Sequence, residues 1–244
     1  MSSNLKQLIV VLVLFGIVLL FNWRVRDKVF QIRYDLMNKN EVVVSKSQIE
    51  TILAGIEKIS YDQLDEEYLS YTKSDEDKYK KLVKDLPYYK IKRNDLNKKI
   101  VGHFRIKDFI CTDDYFVDCT MNRIPELICT FNEKIFFKTL ELQEELENAG
   151  YDKEGFWIVN GHRHPSYNEE IKGASLSRHI KGEAVDISVD DVNGDGYADK
   201  ADKDIILDLL ENKIIGDEGG IGLYPGTGAV HYDVRGYRAR WNDY

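Results

Sequence analysis

The apolar positions of this chain change rhythm along its length. Residues 8–21 form an unbroken apolar run, LIVVLVLFGIVLLF, with no polar face. Between residues 24 and 100 the apolar residues fall at helical spacing, as in Ile49, Ile52, Leu53 and Ile56. Their background is rich in Lys, Asp, Glu and Tyr and is broken by Pro87. With an S-x-x-E box at Ser47 and Glu50, this spacing predicts a helix, and residues 24–100 read as a solvated helical stalk or linker. From about Val101, short apolar runs alternate with turn residues, the texture of an α+β domain. Asn132 is placed to cap a helix carrying Ile135, Phe136, Leu140 and Leu146, with Gly150 as its stop. Strands are predicted at 156–159, 183–189 and 229–234, and a helix at 205–210. The expected fold of 101–244 is a small antiparallel sheet with flanking helices, without an internal repeat.

The first run bears on compartment. A spanning helix uses about 20 apolar residues and a signal-peptide core about 7–15, so length leaves both readings open. No small-x-small cleavage signature follows, and Trp23 suits a membrane interface. Residues 1–23 are therefore expected to be an uncleaved signal anchor, with a secreted form as the outcome if the segment is cleaved. Lys6 precedes the run, whereas Arg24, Arg26, Lys28 and Arg33 follow it. Taken alone, that asymmetry would place the C-terminal side in the cytoplasm. The chemistry below points the other way.

Composition adds exclusions. The 244 residues carry a formal net charge of -8, which leaves no basic footprint for nucleic acid. Three cysteines, Cys111, Cys119 and Cys129, are too few for a disulfide scaffold and contain no C-x-x-C pair. Outside the cell one disulfide is open to them, most simply Cys111–Cys119.

The dense chemistry lies in three segments. They are 161–165 (GHRHP), 177–186 (SRHIKGEAVD) and 230–233 (VHYD). In a strand over 183–189, Ala184, Asp186 and Ser188 share one face, while Val185, Ile187 and Val189 form the core face. Asp186 then projects from an apolar strand, where an unpaired carboxylate is costly. His179 lies upstream across a turn that Gly182 can tighten, and His231 and Asp233 share a face of the late strand. Two histidines and a carboxylate on neighbouring elements make a three-ligand zinc site that keeps a fourth position for water, the catalytic pattern. The alternative is a pair of ordinary, satisfied histidines.

The string Ser177-x-His179-x-x-Gly182-x-Ala184-x-Asp186-Ile187 resembles the first zinc motif of the D-Ala-D-Ala carboxypeptidase-like (peptidase M15) metallopeptidases, which are related to the hedgehog signalling domain. Gly161-x-Arg163-x-Pro165-x-x-Asn168 is similar to the family's G-Y-R-S-P-x-x-N segment. Gly219-Gly220-Ile221-Gly222-x-Tyr224-Pro225, then Val230-His231-x-Asp233 and Arg240-Trp241, is similar to its closing motif. The resemblance spans roughly 104–241. It implies His179, Asp186 and His231 as zinc ligands, a zinc-bound water as nucleophile, and Arg163 as a substrate or oxyanion contact. It also implies substrate-binding positions at Ser177 and Tyr224, a turn role for Ser177 being the alternative. One departure stands out. Many members place a catalytic acid three residues before the last histidine, where this chain has Gly228. Asp233 is then the candidate general base, a partner for His231 from behind, or a replacement ligand.

A second motif spans 191–202. Asp191, Asn193, Asp195, Gly196, Tyr197, Asp199 and Asp202 fit the calcium-loop template, with Asp202 shorter than the usual Glu. The expectation is one structural calcium, against a solvated acidic turn. Together these readings imply a membrane-anchored zinc peptidase acting on peptidoglycan stem peptides, as a D,D-carboxypeptidase or an endopeptidase. The alternative is a non-enzymatic, zinc- and calcium-stabilised binding module at the cell surface.

Overall fold

The computed structural model describes residues 22–38, 42–224 and 226–242. Apart from Asn22 and Trp23, the predicted anchor lies outside the described residues, as does Pro225. Among the described residues, no helix is long and apolar enough to cross a membrane.

The first half contains α1 (Trp23–Met37), α2 (Lys46–Ala54), β1 (Glu57–Ile59), α3 (Glu66–Thr72), α4 (Asp77–Val83), β2 (Tyr88–Lys92), β3 (Lys99–Val101) and β4 (Phe104–Arg105). The second half contains α5 (Asp114–Thr120), β5 (Glu126–Thr130), α6 (Lys134–Asn148), β6 (Phe156–Asn160), α7 (Pro165–Glu170), β7 (Ala184–Val189), α8 (Lys200–Leu209), β8 (Gly220–Leu223), β9 (Ala229–Asp233) and β10 (Ala239–Asn242). The strands form a three-stranded sheet β1-β2-β5, a five-stranded sheet β10-β8-β9-β7-β6 and the β3-β4 pair. All pairings are antiparallel except β10 with β8, so the large sheet is mixed rather than purely antiparallel.

Residues 24–100 are not a stalk. β2 pairs with β5 along its whole length, from Tyr88↔Thr130 to Lys92↔Glu126, so the early region completes a sheet of the later one. Ile49, Leu53, Tyr61, Tyr68, Tyr79, Val83, Tyr88, Tyr89 and Ile91 are all buried in the common core. The abundant tyrosines that read as a solvated background are its aromatic filling, each side chain contributing about 1.5–3 kcal/mol of burial. The α2 cap is also displaced from the predicted one. Ser45 is the N-cap and accepts from the Gln48 amide, while Gln48 Oε1 accepts from the Val44 amide. Ser47 and Glu50 are ordinary helix positions.

The later elements follow their patterns. α6 buries Ile135, Phe136, Leu140 and Leu146 and ends at Asn148, with Gly150 in the left-handed region just beyond. The Asn132 side chain accepts from the Lys134 amide, one residue before the α6 N-cap, Glu133. On the sheet side, Thr139 and Tyr232 hydroxyls meet at 2.8 Å and tie α6 to β9. All three cysteines are buried, unpaired thiols, so Cys111–Cys119 is not a disulfide.

Candidate metal centre

Strand register builds the site as a row. Asn160 on β6 lies opposite Asp186 on β7, which lies opposite His231 on β9. His231 lies opposite Gly222 on β8, and Gly222 opposite Trp241 on β10. Directly paired residues project to the same side of a sheet, so one face receives all five positions.

Trp241 explains the glycine in this row. A Cβ on Gly222 would sit 2.4 Å from the Trp241 indole, which packs against the His231 ring with centroids 4.9 Å apart. His179 comes from outside the row, on the 3-10 turn Arg178–Lys181 just before β7. Gly182 reverses the chain with φ +62, and a Cβ there would lie 2.1 Å from the Thr130 carbonyl oxygen.

The three expected ligand atoms converge. His231 Nδ1 is 2.8 Å from Asp186 Oδ1, His179 Nε2 is 3.3 Å from the same oxygen, and the two nitrogens are 3.2 Å apart. Ligands about 2.0–2.1 Å from a tetrahedral zinc lie about 3.3 Å from one another, so this triangle has the size of one face of such a shell. Among the described residues, it is the one group of three or more His, Cys, Asp or Glu side chains with this convergence.

The outer nitrogens set the tautomers. His179 Nδ1 donates to the Gly161 carbonyl at 2.8 Å, which leaves the Nε2 lone pair facing the centre. His231 Nε2 faces Asp233 Oδ2 at 3.2 Å, which leaves Nδ1 facing it. Three acceptor atoms thus oppose one another in a buried place, an arrangement that a cation resolves. Burial pushes the Asp186 carboxyl up, but the His179 and His231 rings hold it well below the usual carboxylate range. Burial disfavours charge on His231, yet hydrogen bonds to Asp186 and Asp233 raise its pKa. Burial lowers that of His179.

Asp233 does not face the centre. It lies behind His231, fully buried, and its carboxylate also accepts from the Gly220 amide at 3.0 Å and from Arg235 Nη2 at 2.6 Å and Nε at 2.8 Å. Against the effect of burial, His231 and Arg235 hold it well below the usual carboxylate range. Of its three expected roles the geometry fits the partner that orients His231. A base must reach the substrate side, and a ligand must reach the centre; this carboxylate does neither.

Arg163 is buried, with Nη1 on Asn168 Oδ1 at 3.2 Å and Nη2 4.0 Å from Asp186 Oδ2. Pro165 starts α7, and that first turn brings Asn168 to the guanidinium. Tyr224 donates its hydroxyl to Asp186 Oδ1 at 3.3 Å, so it reaches the ligand cluster. Ser177 opens the 3-10 turn through its backbone, its carbonyl accepting from the Ile180 amide. His162 and His164 are buried wall residues.

Sequence reasoning missed Asn160. Its Nδ2 donates to Asp186 Oδ2 at 3.1 Å, while its Oδ1 accepts from the Cys111 thiol at 3.4 Å. The carboxylate is thereby split, with Oδ1 for the centre and Oδ2 for Asn160. The available signal was a polar residue ending an otherwise apolar strand immediately before Gly161.

In the 191–202 loop the acids are engaged by backbone amides. Asp191 accepts from Gly194, Asp195 and Gly196, and Asp202 from Val192, Asn193 and Asp199. Asp199 is the N-cap of α8, accepting from Ala201. Asn193 Oδ1 accepts from the Asp195 amide, and Tyr197 is exposed at the tip. No three carboxylates here converge as the His–Asp–His group does.

Searches of curated proteins and of solved structures gave no match. Residues 115–209 match the family model of Peptidase M15, a span that includes Arg163, His179 and Asp186 and ends before His231. This match ties the region to the peptidase M15 family.

Proposed function

We propose that this peptidase is zinc-dependent and hydrolyses peptidoglycan stem peptides as a D,D-carboxypeptidase or endopeptidase. The observation that carries the reading is the buried triangle of His179 Nε2, Asp186 Oδ1 and His231 Nδ1, with both outer imidazole nitrogens held by acceptors. Three protein ligands leave a coordination position for substrate chemistry, whereas structural zinc sites are closed by four. Zinc bound here supplies a Lewis acid for the scissile carbonyl and makes water nucleophilic near neutral pH. Arg163 contributes fixed donors to a carboxylate or a developing oxyanion beside Asp186. Tyr224 offers a hydroxyl donor at the ligand cluster, and Ser177, at the start of the 3-10 turn that carries His179, is a proposed substrate contact. Peptidoglycan lies outside the cytoplasmic membrane, so the catalytic domain is placed there, anchored through residues 1–23.

The 191–202 loop is proposed to hold one calcium, on its ligand spacing and on the closure of its turn around Asp191. Calorimetry checks this: absent Ca²⁺ binding heat, or the same heat after Asp195→Ala, would sink the idea.

A second reading has a specific observation behind it. Gly228 stands where many relatives carry an acid, and Asp233 is turned away behind His231. Both fit a zinc-stabilised binding module that does not cleave. The deciding experiment incubates the full, zinc-loaded chain with purified muropeptides and follows mass. Loss of a terminal residue or scission of a cross-bridge supports the peptidase. Stoichiometric zinc without any mass change supports the module.

A further inference from the structure

Helix α1 is bound to the body through one side and shows a different chemistry on the other. On the inner side, Trp23 packs edge-on against Phe116 with centroids 6.3 Å apart, and the Arg93 guanidinium covers Phe30 at 4.7 Å. Both acids of the helix are committed to body cations, Asp27 to Lys107 at 2.7 Å and Asp35 to Arg105 at 2.6 Å. On the outer side, Val25, Val29, Ile32 and Leu36 follow a 4-3-4 spacing and form one stripe about 16 Å long. Val29, Ile32 and Leu36 are 51, 50 and 64% exposed, in a protein whose other apolar side chains mostly fill a core. Lys28 borders the stripe on one side and Arg33 on the other, both exposed, and exposed Arg24 extends the first border. The helix also begins afresh at its first turn. Asn22 is extended and caps it by accepting from the Arg24 amide, so α1 need not continue the direction of the chain before it.

An apolar stripe of this spacing fits either a second copy or a lipid surface, and charge separates them. In a parallel pair of these helices, Lys28 and Arg33 occupy the positions flanking the seam, where cation would face cation. Against anionic headgroups the same two residues are attracted, with their stems lying over the acyl boundary. We propose that the outer face of α1 lies on the membrane surface and binds anionic lipid headgroups through Lys28 and Arg33. This goes beyond anchoring by residues 1–23 and rests on that membrane reading. It also gives the cations that follow the apolar run a function other than setting topology.

The test uses the full chain in phosphatidylcholine vesicles, with or without phosphatidylglycerol. An environment-sensitive fluorophore is placed at Ile32→Cys or, as a control, at Asp204→Cys on α8; the three native thiols are buried. The probe at 32 should be quenched by shallow brominated lipids in the anionic vesicles, and the probe at 204 should not. Lys28→Gln with Arg33→Gln should lower the membrane-buried fraction relative to the exposed one by about 30-fold, about fivefold per cation. Its melting temperature should match that of the parent chain. Equal quenching at 32 and 204 on vesicles that the chain does bind overturns the proposal while leaving the anchor intact. Inter-chain disulfides through Ile32→Cys in both lipids overturn it in favour of a second copy. A chain that floats with neither vesicle overturns the anchor and this inference together.

Discussion

Replacing Asp233 separates a base from a positioning residue. Its carboxylate has four partners: the His231 ring, the Gly220 amide, and the Arg235 amide and guanidinium. In Asp233→Asn the side-chain shape is kept and an oxygen in the Oδ2 position still meets His231 and Arg235 Nη2, but the negative charge is lost and the Oδ1 position, which accepts from the Gly220 amide and the Arg235 amide and Nε, becomes an NH2. The amide nitrogen then meets a donor. Arg235 is only 16% exposed at its side chain, so it is left as a poorly solvated cation. Breaking a buried pair in this way costs about 3–5 kcal/mol. For a chain of this size, at about 2–4 °C per kcal/mol, the melting temperature should fall by about 6–20 °C. His231 keeps an oxygen partner but loses the charged acceptor that holds its Nε2 protonated and Nδ1 free, so zinc affinity should fall about 10–100-fold. Chelator competition and thermal melts of the zinc-loaded and zinc-free chain measure both, and turnover is then read at saturating zinc. A positioning role predicts weak zinc, a lowered melt and substantial residual turnover once the site is filled. Unchanged zinc affinity and melting temperature, with turnover reduced by about 10²–10⁴, would refute this reasoning and restore Asp233 as the base.

Asn160→Leu should leave the zinc-free melt nearly unchanged while weakening zinc about tenfold, because Asp186 Oδ2 loses its donor. A cobalt-substituted spectrum identical to that of the parent would show that Asn160 does not shape the centre. Gly222→Ala should cost about 1–3 kcal/mol, since the new methyl must displace the Trp241 indole from His231; an unshifted melt counts against the packed row. His164 donates to Asp113 Oδ2 at 2.5 Å and to the Ile128 carbonyl at 2.9 Å, two acceptors that together require an imidazolium. Burial opposes that charge, but the Asp113 carboxylate raises the His164 pKa. Its stabilisation is therefore full below the unfolded value of about 6.5 and lost as pH rises through the higher folded value. The stability advantage of the parent over His164→Leu/Asp113→Asn should shrink from mildly acidic to alkaline pH, and a flat difference in urea melts would contradict the pairing.

The triad of His179, Asp186 and His231 was legible because it depends on local rules. Period-two alternation put Asp186 opposite the core face of β7 and made His231 and Asp233 share a face of β9, and both strands formed where their patterns placed them. Asp233 was ambiguous for the same reason. Alternation assigns a face but not which nitrogen of His231 meets the centre, and that choice separates a base from an orienting partner. Asn160 was hidden because its role comes from register with β7, which is long-range. In the acidic loop, the spacing of Asp191 to Asp202 gave the turn, but the backbone amides that occupy the carboxylates leave no mark on the pattern.

The larger misreading concerns residues 24–100, and it changes which molecule can be assayed. A charged, tyrosine-rich segment resembles a solvated stalk when its tyrosines are counted as polar. Here Tyr88 and Tyr89 are essentially buried on β2, whose partner β5 supplies the Ile128 carbonyl that receives the His164 ring. Asp113, at the N-cap of α5, holds the other side of that ring, one residue from Arg163. The wall of the metal centre is thus braced by strands and helices from both halves of the chain. A fragment of residues 101–244 would expose Leu127, Ile128 and Cys129 on an unpaired strand edge, losing about 1.5–3 kcal/mol for each large side chain uncovered. Two or three such losses, about 3–9 kcal/mol, are comparable with the net stability of about 5–15 kcal/mol typical of a domain. The fragment should bind a dye for exposed apolar surface, melt without a cooperative transition and hold zinc poorly, whereas a chain starting at residue 22 should do none of these. A cooperatively folding 101–244 fragment with parent-like zinc affinity would mean that the early region is an accessory after all.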